Sequence, residues 1–173
     1  ITGEEVSAAI KALKPQKIPG PDGFMSQFYK VFAFQLAPQL VSLFNACATS
    51  GRITPTMGDT IITVILKPGK DPSKCSSYRP IALLNLDAKL FTKILVTRLK
   101  KFLPMLVHPE QIGFVPGRQT HDNLRSSVHL IEKVTRKEIP AVLLLLDAEK
   151  AFDHVEWSFL RLVLRLWVLG LSF

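Results

Sequence analysis

The spacing of apolar positions changes several times along this chain, and each change marks a new element. In TGEEVSAAIKALK, Val6, Ile10 and Leu13 recur at helical spacing, and Thr2 stands three residues before Glu5, as in a capping box. That helix is expected to end near Pro15. KIPGPDGF follows, and its prolines and glycines forbid regular structure and demand a defined loop. From Phe24 to about Ser50 the spacing is helical again through Phe28, Val31 and Phe32, with an interruption expected at Pro38 and a C-terminal cap at Gly51. The β-branched run Ile61, Ile62, Thr63, Val64, Ile65 predicts a strand, and Tyr78 to Leu84 predicts a second. Pro68-Gly69 and Asp71-Pro72 between them predict a hairpin with a long basic tip.

Asp87 then stands where it would cap a helix carrying Leu90, Ile94 and Leu95 on one side and Lys89, Lys93, Arg98 and Lys100 on the other. HPEQIGFVPGRQT reads as a second loop. Thr120 or Asp122 starts a further helix with Leu124, Val128 and Ile131. Six apolar residues, 141–146, then predict a buried strand that ends abruptly on Asp147, and an amphipathic helix is expected from near Asp153. Helices, hairpin, helices, strand and helix in that order predict an α+β fold.

With 173 residues, 47% of them hydrophobic, the chain is long enough to bury a core, and disorder is excluded as its main state. No apolar run approaches a membrane span, and nothing at Ile1 reads as a signal peptide. Cys47 and Cys75 give neither a disulfide framework nor metal-type spacing. The net charge is +8, and between Asp59 and Lys101 nine basic residues face three acidic ones. Such a segment suits a polyanion, nucleic acid or nucleotide phosphate; a solvated basic helix face would show the same charge.

Several chemistries fail on residue spacing. KPGKDPSK has the Gly-Lys pair of a phosphate loop but Asp71 where Ser or Thr is required. His108, His121, His129 and His154 lack zinc spacing, and no nucleophile elbow is present. Asp147 remains. A carboxylate fixed at the end of a packed strand suits a metal-dependent phosphoryl-transfer site, in which cations are clamped by several carboxylates. Spacing alone favours the reading in which Asp147 caps the next helix, and capping is the default role of Asp153.

LLLDAEKAFDHVEW resembles the first catalytic motif of reverse transcriptases encoded by LINE-type, non-LTR retrotransposons. KIPGPDGFMSQFYK, ILKPGKDPSKCSSYRPIALLN, DAKLFTKILVTRL and HPEQIGFVPGRQTHDNLR are similar to further blocks of that family, in the same order. The resemblance implies part of a right-hand polymerase fold, with residues 1–105 fingers-like and 106–173 the start of a palm in one incomplete domain. It implies copying of an RNA template from a DNA primer with deoxynucleoside triphosphates and Mg2+, at an intracellular site and away from membranes.

Carried over residue by residue, Asp147 is the catalytic metal-binding aspartate and the Ala148 carbonyl completes its side of the metal site. Phe152 falls at the steric gate that excludes a 2′-hydroxyl. Lys67 and Arg79 match the hairpin that grips the triphosphate. Gln111, Gly113, Phe114 and Arg118 match a block near template and primer, although tight-turn geometry accounts equally well for the glycines. One departure stands out: the family's palm also carries an aromatic-x-Asp-Asp motif, and no Asp-Asp pair occurs in this chain. The expectation is a polymerase fragment, inactive alone, with no thumb. The alternatives are a basic nucleic-acid-binding module without catalysis and an inert relic of a degenerate element.

Overall fold

In the computed structural model, which describes residues 1–148 and 151–166, the chain divides into two compact units, the first Ile1–Arg98 and the second beginning at Leu99. The first unit opens on the expected capping box. Thr2 Oγ1 accepts the Glu5 N–H at 3.3 Å and Glu5 Oε2 accepts the Thr2 N–H at 2.9 Å, starting helix α1 (Gly3–Lys11). Helices α2 (Ser26–Val31) and α3 (Ala33–Ser50) follow the first loop. Their break falls at Phe32 and not at Pro38, which lies inside α3. The carbonyl that Pro38 leaves without an intrahelical partner belongs to Phe34, an exposed residue, so the helix can continue. Gly51 ends α3 at φ +66°, a left-handed cap that glycine adopts without strain.

Helix α4 (Pro55–Gly58) leads into strand β1 (Thr60–Leu66), which pairs antiparallel with β2 (Tyr78–Leu84). Thr60 faces Leu84 and Leu66 faces Tyr78, so the predicted hairpin is present within a residue at each end. Pro80 is tolerated in β2 because a two-stranded sheet consists only of edges.

Helix α5 (Leu86–Lys100) begins directly after β2. Its cap is not Asp87, which lies inside the first turn. Asn85, 3% exposed, precedes the helix, and its carbonyl accepts the Lys89 N–H at 3.2 Å. Burial raises the carboxyl pKa of Asp87, as expected for a carboxylate drawn into the packed side of a helix.

Val6 and Ile10 of α1, Leu40, Phe44 and Cys47 of α3, and Leu86, Leu90 and Ile94 of α5 form one buried cluster with Met57. Each set repeats at three- or four-residue spacing, so each helix turns one stripe inward, and each large side chain buried contributes about 1.5–3 kcal/mol. Leu95, expected in the α5 stripe, faces outward. Arg98 ties α5 to α1 through two 2.7 Å bonds to the Glu5 carboxylate, and the Lys93 ammonium donates to the Ala12 carbonyl at 3.0 Å. Cys47 is buried, Cys75 is exposed, and both are free thiols.

The second unit contains α6 (Leu103–Leu106), α7 (Thr120–Arg136) and α8 (Trp157–Leu166). Two expectations are corrected here. Residues 141–148 form no strand, and the apolar side chains of 142–146 are exposed. A strand exists only by pairing, and the one sheet among the described residues is the hairpin. Asp153 does not start the last helix. It lies in an exposed turn, and the helix opens at Trp157, with the Glu156 carbonyl accepting the Leu160 N–H at 3.0 Å. Helices with one small sheet bear out the α+β class. No helix among the described residues is long and apolar enough to cross a membrane.

Candidate functional site

The hairpin carries the first pair of candidate residues. In an antiparallel ladder, directly opposed residues share a face and side chains alternate along each strand. Arg79 opposes Ile65, and Lys67 follows two residues after Ile65. The ladder continues to Lys67, whose N–H donates to the Ser77 carbonyl at 2.8 Å. Lys67 and Arg79 therefore stand diagonally on one face at the hairpin's tip end. Arg79 is exposed, while the Lys67 ammonium donates to the Ser76 carbonyl at 2.8 Å. Lys70 and Lys74 in the connecting loop are exposed as well. The basic segment thus divides by use: Lys93 and Arg98 brace the helices, and the hairpin charges face solvent.

The base of this hairpin is fixed by a group that sequence reasoning missed. Asn85 Oδ1 accepts the Asp22 N–H at 3.1 Å, and Asn85 Nδ2 donates to the Thr56 carbonyl at 2.7 Å. One buried amide thereby joins the KIPGPDGF loop, helix α4 and the end of β2. Gly20 packs so closely on Leu84 and Asn85 that a Cβ there would collide with backbone and side chain. The available signal was an N-cap residue directly between a strand and an amphipathic run. Beside this joint, burial pushes the Tyr29 phenol up to about 12, with the Asp87 and Asp22 carboxylates adding to the shift.

The other candidates lie in the second unit. Arg118 is half-buried, and its guanidinium donates to four backbone carbonyls: His108 and Gln111 at 2.6 Å, Pro104 and Val107 at 3.1 Å. Those bonds cap the short helix α6 and close the loop that follows it. Gln111 Nε2 donates to the Gly113 carbonyl at 3.5 Å, and Gly113 is exposed. Gln111 and Arg118 therefore brace the loop they belong to. Phe114 projects from it, and its ring meets Phe152 edge to face with centroids 6.2 Å apart.

Asp147 and Ala148 lie on the exposed, unpaired segment 141–148. Among the described residues no group of three His, Cys, Asp or Glu side chains is placed to hold a metal ion. Asp147 and the Ala148 carbonyl are oxygen donors of the kind a hard divalent cation takes, but they supply only part of a donor set, and further carboxylates are needed to complete it.

Residues 65–167 match the family described as reverse transcriptase (RNA-dependent DNA polymerase). The chain belongs to that family. Over all 173 residues it is 31% identical to an uncharacterized 149 kDa protein of transposon TX1 from Xenopus laevis. It is 30% identical over 157 residues, 90% of the chain, to an RNA-directed DNA polymerase from the mobile element jockey of Drosophila funebris. A retrovirus-related Pol polyprotein from the type-1 retrotransposable element R1 of Bradysia coprophila is 28% identical over 156 residues, 89% of the chain. The chain spans 13%, 17% and 15% of the length of these relatives. The resemblance to LINE-type reverse transcriptases is thereby borne out.

Proposed function

We propose that this chain supplies the nucleotide-gripping hairpin and the first catalytic aspartate of an RNA-directed DNA polymerase that copies retrotransposon RNA into DNA. The observation that carries the reading is the hairpin register, which sets Lys67 and Arg79 on one face beside an exposed basic loop. Two cations on one rigid ribbon suit a triphosphate, whose charge is spread over several oxygens. The Lys67 ammonium would exchange its Ser76 carbonyl for a phosphate oxygen, a stronger charge-assisted partner. RNA template, DNA primer and deoxynucleoside triphosphates are the partners this assignment requires.

Residues 1–105 would then be fingers and 106–173 the start of a palm, within one right-hand polymerase domain. The division of the chain at Arg98 and Leu99 supports a boundary in that region. Asp147 and the Ala148 carbonyl would be ligands for Mg2+, which supplies electrostatic stabilisation of the reacting phosphate when bound. Further carboxylates are required for that site. Phe152 would lie beneath the sugar and exclude a 2′-hydroxyl, and Gln111, Gly113, Phe114 and Arg118 would form the loop beside template and primer.

The reading is tested in the complete polymerase that contains this chain. Lys67→Ala and Arg79→Ala should each raise KM for deoxynucleotides about 10-fold or more, since a hydrogen bond to a charged group is worth about 1.5–3 kcal/mol. An unchanged KM in both variants would contradict it.

A further inference from the structure

Phe114 is an unusual residue in its setting. It holds φ +64°, a left-handed conformation that side chains other than glycine and asparagine rarely adopt, and it is 89% exposed. Neither burial nor local backbone preference explains a phenylalanine there. Its neighbour Val115 is buried, so adjacent residues divide the work: one anchors the loop and the other projects from it. The four carbonyl bonds of Arg118 and the Gln111–Gly113 bond fix the backbone on both sides of the ring. Strain of this kind persists only where the surroundings over-determine it, and it collects at functional positions.

What the strain accomplishes is visible in the ring's position. Phe152 is 85% exposed, and the edge of one of these two rings meets the face of the other at an interplanar angle of 70°. That arrangement is favourable for aromatic quadrupoles. An exposed ring left alone samples several rotamers, whereas a steric gate must stay where the clash is needed.

We propose that Phe114 is a specificity-determining positioning residue, holding the Phe152 ring so that nucleotides bearing a 2′-hydroxyl are rejected. The proposal rests on the reading of Phe152 as the sugar gate. Phe114 acts through Phe152 and needs no contact of its own with the reacting atoms.

The test uses the complete polymerase and measures the ratio of kcat/KM for a deoxynucleotide over the matching ribonucleotide. Phe114→Ala should lower that ratio about 3- to 10-fold, the worth of an edge-to-face pair, and Phe114→Tyr should restore it. Adding Phe114→Ala to Phe152→Ala should lower it no further than Phe152→Ala alone, because both act on one gate. Phe114→Gly separates selectivity from structure: it relieves the left-handed backbone, so the melting temperature should hold or rise while selectivity falls. An unchanged ratio in Phe114→Ala and Phe114→Gly, with Phe152→Ala relaxed, would overturn the positioning role and leave the gate standing. An unchanged ratio in Phe152→Ala would overturn the gate reading and this inference with it.

Discussion

Gly20 and Asn85 occupy adjoining space so fully that no side chain fits at position 20 while the Asn85 amide keeps its place. The amide in turn holds Asp22 and Thr56, and so ties the first loop and helix α4 to the point where β2 becomes α5. The hairpin bearing Lys67 and Arg79 grows from this joint.

Asn85→Ala should therefore destabilise the chain by more than loss of a surface amide would. The Asp22 N–H and the Thr56 carbonyl lose partly buried bonds to the buried Asn85 amide, and a bond of this kind contributes about 0.5–1.5 kcal/mol. Gly20→Ala should be comparably harmful because backbone, and not only a flexible side chain, blocks the new methyl. Denaturant titration of both variants checks this; midpoints equal to that of the parent chain would refute the joint.

Acid sensitivity should trace in part to Glu5. The Arg98 guanidinium, with help from the Thr2 N–H, lowers the Glu5 carboxyl from 4.5 to about 2. A carboxyl depressed by folding contributes stability that is present above the unfolded value, near 4.5, and lost as pH falls through about 2. Solvent screens a pair this exposed, so the contribution should be only about 0.2–1 kcal/mol. Glu5→Gln should remove that fraction of the pH dependence between roughly 4.5 and 2, read by stability against pH. A variant with the parent's full acid dependence would contradict the assignment.

Hydrogen exchange should divide the chain sharply. Amides of α3 and α5 that back Phe44 and Leu90 should be the slowest, because both side chains are fully buried. Amides of residues 141–148, with no sheet partner among the described residues, should exchange on the fastest timescale. Strong protection at 143–146 would show a strand pairing that the structure lacks.

The sequence was most legible where local rules and packing agree. The Thr2–Glu5 capping box, the Gly51 cap, the two hairpin strands and the helix from Thr120 all follow from spacing and turn chemistry that act within a few residues. It was least legible where a distant partner decides. Asn85 stands immediately before α5, and its side chain is committed to Asp22, 63 positions away in the chain, and to Thr56. The run at 141–146 carries every local mark of a buried strand, but pairing is not a local property.

The candidate site divides in the same way. The resemblance to reverse transcriptases pointed to Lys67, Arg79, Asp147 and Phe152, yet the Arg118 guanidinium could be assigned to carbonyls only once the loop was folded. The contact between Phe114 and Phe152, 38 residues apart in the chain, carries no sequence signal at all.

The most direct measurement is primer extension on an RNA template by the complete polymerase, comparing Asp147 with Asp147→Asn. Asparagine keeps nearly the same volume and caps a helix about as well, but it removes the charge that holds a cation. If Asp147 is a metal ligand, extension should fall by several orders of magnitude while template binding persists, a loss located in the chemical step. Normal extension by Asp147→Asn would contradict the account at its centre.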